Sequence, residues 1–139
     1  MTDAKRLARI HRVRTLQLGL AQADEARARE GLASETALAE RIGRLAAAVA
    51  PSSDMAAATA FAAAAHYRDR LHRSAEAAVN RVRVAQDAAD RTVAARQSAH
   101  RDQSAVEKLM ARATAAGIAT EIRAMQDAPT FRKVRHDPC

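Results

Sequence analysis

What most constrains this chain is how few places a helix is forced to stop. Its 139 residues include three prolines and four glycines, and the only strong punctuation before residue 129 is Pro51-Ser52-Ser53-Asp54. Pro51 removes a backbone donor and disfavours helix at Ala50. Ser52 or Ser53 can cap a new helix, and Asp54 suits the positive end of its dipole. The glycines cost about 1 kcal/mol each in a helix interior, which a long helix tolerates. The side chains available point the same way. Alanine supplies 38 residues, the aromatics are Phe61, Tyr67 and Phe131 alone, and there is no Trp. A compact mixed or all-β core needs more large side chains than this. The expectation is an all-α fold, an antiparallel two-helix coiled-coil hairpin with the second helix longer than the first. Such an architecture rarely encloses a substrate pocket.

The expected organisation is a hairpin over 1–128 (helix about 3–50, turn 51–54, helix about 55–127), followed by a basic, disordered tail over 129–139. Leu38, Ile42, Leu45 and Val49, spaced 4, 3, 4, read as a coiled-coil seam. Leu7, Ile10, Val13, Leu16 and Leu20 form a second stripe that does not share one strict heptad frame with the first. On the second helix the apolar positions are Ala58, Phe61, Ala65, Ala75, Val79, Val82, Ala89, Val93, Val106, Met110 and Ala113. A tight turn at 51–54 makes facing residue numbers sum to about 104, so Leu7 is expected near Gln97 and Leu45 near Thr59. Helix one then runs out opposite about residue 101, leaving about 25 residues of helix two, nearly 40 Å, projecting beyond it. Val106, Leu109, Met110, Ile118 and Ile122 give that overhang an apolar face, which argues for self-association, a fold-back at Gly117, or docking on another protein.

Charge is uneven. The net charge is +7, with 20 Arg and 3 Lys. The first 14 residues carry Lys5, Arg6, Arg9, Arg12 and Arg14 against Asp3 alone. Basic groups at a helix N-terminus oppose the macrodipole, so they are not there for helix stability. Either they form a solvated face or they make an electrostatic docking end.

The residues give little support to chemistry. Phosphate-loop, nucleophile-elbow, zincin and EF-hand patterns are all missing. Ser98, His100 and Asp102 sit at i, i+2, i+4, and on a helix His100 points away from the other two. His66 and His72 do not share a face, and His136 with Cys139 makes a weak metal site. The expectation is therefore no enzyme, no cofactor, no metal and no small-molecule substrate. With one cysteine, no disulfide can form within the chain, and the N-terminal residues show no secretory signal. Nucleic-acid binding is disfavoured because aromatic stacking platforms and recognised motifs are lacking. KRLARIHRVRTLQLGL could lie on a membrane surface, but it equally describes half of a basic coiled coil.

The hairpin, the basic helix start and the segment QSAVEKLMAR, Gln103 to Arg112, together resemble the flagellar and virulence type III export stalk proteins, the FliJ/YscO-like family. Phe61, Ala65, Arg68 and His72, spaced 4, 3, 4, resemble that family's contact face for the export gate, with Phe61, Ala65 and His72 fitting in type. The ending DAPTFRKVRHDPC departs from the acidic, Gln-rich close common in the family. The resemblance implies a non-enzymatic stalk or adaptor in the cytoplasm, peripheral at the inner membrane through its apparatus. Its partners would be the export ATPase hexamer and an export gate component or export chaperones. The partner-binding residues would be Arg6, Arg9, Arg12, Val106, Leu109, Met110, Ile118, Ile122, Phe61 and His72. The alternatives are a generic coiled-coil scaffold or dimeric adaptor, including a homodimer, and a basic helical nucleic-acid-associated protein.

Overall fold

The computed structural model describes residues 2–49 and 58–129. Two helices account for nearly all of them: α1, Thr2–Ala48, and α2, Ala58–Asp127. At 1.5 Å per residue they are about 70 Å and 105 Å long. Among the described residues there is no strand, and the two helices pack against each other. The turn assigned to 51–54 and the tail from 130 onward lie outside the described residues. α2 stops two residues before Pro129, whose ring disfavours helix at Ala128.

The helices run antiparallel. His11 meets Glu107 at 3.2 Å, Arg14 meets Asp102 at 3.0 Å, and Glu35 meets Arg81 at 3.1 Å. As one partner's number rises the other's falls, and the paired numbers add to 116–118. The register is thus near 117, which corrects the expected value near 104. Leu7 lies by Met110 rather than Gln97. The electrostatics explain the difference. In the expected register Glu35 would face Asp69 and the carboxylate of Glu25 would face Val79. In the observed one, each of the acids Glu25, Glu35, Asp102 and Glu107 finds a cross-helix cation or histidine.

The seam follows one uninterrupted 4-3 frame on each helix. On α1 the inward positions are 7, 11, 14, 18, 21, 25, 28, 32, 35, 39, 42, 46 and 49, all buried or half-buried. On α2 they are 68, 71, 75, 78, 82, 85, 89, 92, 96, 99, 103, 106 and 110. No phase change separates the two halves of α1. Of the large apolar residues assigned to its stripes, only Leu7, Ile42 and Val49 face inward, while Leu16 and Leu20 are 69% and 65% exposed. Much of the seam is alanine, which lets the helices approach closely without filling a thick core. Among the described residues the buried apolar side chains are Ala78, Ala89 and Val106.

One charged side chain is buried with them. Glu25 is 3% exposed, contacted by Arg96 across the seam and by Arg29 one turn along its own helix. The Arg96 Nε lies against Glu25 Oε2 as an ion pair without the alignment of a directed hydrogen bond. A buried charge of this kind is tolerable only when paired, so it penalises any register that separates the partners.

Candidate partner-binding ends

The register decides what each end of the rod offers. Thr2 of α1 faces about residue 115 of α2, so α2 projects past α1 by about 12 residues, roughly 18 Å. The expected overhang from residue 101 is therefore about half as long as the sequence suggested. Val106, placed on that overhang by sequence, is instead buried in the seam. Met110 is half-buried and lines a cleft with Ala4, Leu7, Ala113 and Thr114. Neither belongs to a free tip.

Ile118 and Ile122 do. Every described residue from 111 to 129 is exposed, and Ile118, Ile122 and Met125 are the large apolar side chains among them. At the same end, Lys5, Arg6, Arg9 and Arg12 at the start of α1 are all exposed. Leu109 is 49% exposed on the side of the rod, near the height of Arg9. The end thus joins a cluster of exposed cations to a helical projection that carries exposed apolar side chains.

At the other end α2 also begins early. Ala48 faces about residue 69, so Ala58 to Arg68 run past the last turn of α1. Phe61 is 53% exposed on this extension, and His72 is exposed beside it. Phe61 and Ile118 lie 57 residues apart on one helix, about 86 Å. The sequence-predicted residues therefore form two separate ends, not one site.

The residues tested for chemistry stay apart. Asp102 is held by Arg14, and Ser98 and His100 are exposed without forming a triad. Among the described residues no cluster of three metal-ligating side chains occurs. No described helix is long and apolar enough to cross a membrane. Sequence reasoning missed the polar seam residues His11, Arg14, Glu25, Glu35 and Arg96. The signal was present: a strict 4-3 frame counted from Leu7 passes through the first four regardless of their polarity.

Comparison with family models, with curated proteins and with solved structures finds no match for the chain.

Proposed function

We propose that this protein is a non-enzymatic stalk or adaptor of a flagellar-type (type III) protein export apparatus. The reading rests on the hairpin's resemblance to the export stalk proteins. The observation that supports it most is the end of the rod where α2 outruns α1. There the exposed cations Arg6, Arg9 and Arg12 lie about 10–25 Å along the rod from the exposed apolar residues Ile118 and Ile122. Neither cations in the first turns of a helix nor exposed apolar residues on a projecting one serve the helix's own stability. The arrangement suits an acidic, partly apolar collar such as the mouth of an export ATPase hexamer. Phe61 and His72, at the far end, would face the gate or the chaperones. The chain would work on the cytoplasmic side of the inner membrane.

The mechanism is mechanical. A stiff, asymmetric rod contacts the subunits of a ring unequally and shifts their relative conformational populations. Hydrolysis belongs to the ring. The test is to purify the chain with an export ATPase from the same cell and measure turnover with and without it. The reading expects co-elution and stimulated hydrolysis, both lost in the Arg6→Glu, Arg9→Glu, Arg12→Glu variant. No binding and no change in turnover would dismiss it.

A further inference from the structure

The exposed apolar side chains between the two ends are not scattered around the rod. On α1 they are Ile10, Val13, Leu16, Leu20, Leu38 and Leu45. On α2 they are Tyr67, Val79, Val84 and Leu109. Leu20 shares a groove with Ala88, Arg91 and Ala95, and Val84 shares one with Glu35 and Ala88, which fixes these residues to one side. Ile10, Leu38 and Leu45 repeat at multiples of seven along α1, as do Tyr67, Ala88 and Leu109 along α2, so they continue the same side. Leu16 borders it, and Val79 alone lies on the opposite flank. That opposite flank carries Gln22, Arg29 and Thr36 on α1 and Gln86, His100 and Glu107 on α2, mostly exposed. The rod therefore has one flank on which the large exposed apolar side chains cluster, the clusters being separated by Asp24, Arg27, Gly31 and Ser34 on α1 and by Arg81, Arg91 and Asp102 on α2, and one flank with few of them.

We propose that the apolar flank is covered by a second copy of this chain, lying antiparallel, to make a four-helix rod. Three observations support this occupant. The first is a two-fold match. An axis perpendicular to the rod, at the level of residue 29 of α1 and Ala88 of α2, sets Val13 against Leu45 of the second copy and Leu20 against its Leu38. The same axis sets Leu109 against Tyr67 and brings Ala88 onto itself. One operation thus pairs six of the large side chains, four on α1 and two on α2, as an isologous interface requires, and sets Ile10 against Ala48 and Val84 against Thr92. The second is size. The flank from Leu109 to Tyr67 is about 63 Å long and about 20 Å wide, more than the roughly 800 Å² per partner of a stable interface. The third is charge. The basic end holds Lys5, Arg6, Arg9 and Arg12. A parallel pair would stack two such ends, whereas the antiparallel pair holds them about 60 Å apart, several Debye lengths. All neighbouring helices then alternate in direction, as in up-down bundles.

This inference does not rest on the export reading. Its test uses the full chain. Analytical ultracentrifugation should find a dimer at micromolar concentration. Leu20→Glu with Leu38→Glu, both at exposed positions, should weaken it about a hundredfold or more while circular dichroism shows unchanged helicity. Val79→Glu, on the polar flank, should leave it intact. In a Cys139→Ser background, Ala88→Cys should cross-link to itself on mild oxidation, and Ser98→Cys, about 30 Å from its own copy, should not. A monomer at every concentration would overturn the proposal. So would a dimer that survives the double Glu variant, or one in which Ala88→Cys stays unlinked while Ser98→Cys joins.

Discussion

Glu25 illustrates how one residue can choose between registers. In the sequence it belongs to an acidic stretch with Asp24, Glu30, Glu35 and Glu40, and it looks like any solvated helix charge. In the fold it is the most deeply buried charge among the described residues, paired with Arg96 across the seam. Removing one partner strands the other, while removing both exchanges a polar layer for an apolar one. Glu25→Leu alone, and Arg96→Leu alone, should each lower unfolding free energy by about 1–3 kcal/mol, the modest figure reflecting the partial exposure of Arg96. The Glu25→Leu, Arg96→Leu double variant should recover most of that loss. A urea-melt double-mutant cycle measures both, and simple additivity would show that the two side chains do not act as a pair. The half-exposed pairs Arg14–Asp102 and Glu35–Arg81 contribute less individually, because solvent and salt screen them.

At the scale of the elements, two long helices were legible because little in the chain can stop one. Their inward faces were not. The large side chains Leu16, Leu20, Leu38 and Leu45 lie off the seam, while four alanines, a histidine, an arginine and two glutamates take eight of the thirteen inward positions of α1, beside Leu7, Leu18, Leu32, Ile42 and Val49. Size and hydrophobicity mislead where a seam is thin, since Ala packs well between close helices and hides no more area than its methyl. Two consequences can be measured. Val106→Ser and Met110→Ser should each destabilise the hairpin, by about 2 kcal/mol at buried Val106 and somewhat less at Met110, whereas Ile118→Ser and Ile122→Ser should stay within about 0.5 kcal/mol. Equal melting curves for all four would mean that the seam ends before residue 106. Gly19 and Gly43 lie in helix interior with open space where a Cβ would stand. Gly19→Ala and Gly43→Ala should each add about 0.5–1 kcal/mol, read as a higher thermal midpoint.

For the whole molecule, the sequence conveyed the shape and the basic end, but it misjudged where the free tip begins. The error came from assuming that the chain turns as tightly as Pro51-Ser52-Ser53-Asp54 permits. Charge matching moved the register by about 13 residues instead, so that α2 outruns α1 at both ends. The basic start of α1 should be separable from stability. Arg6→Glu, Arg9→Glu and Arg12→Glu together should leave helicity equal or slightly raised, because acidic groups suit a helix N-terminus. A large loss of helicity on circular dichroism would mean that these arginines hold the hairpin together.

The register carries the rest, and one covalent trap reads it directly. Ala4 and Ala113 line the same cleft at the basic end of the rod. In a Cys139→Ser background, Ala4→Cys with Ala113→Cys should close within a single chain on mild oxidation, seen as a faster-migrating species that reductant abolishes. Failure of that pair to close, with ready closure of Ala4→Cys and His100→Cys instead, would restore the tight-turn register and with it a tip that starts near residue 101.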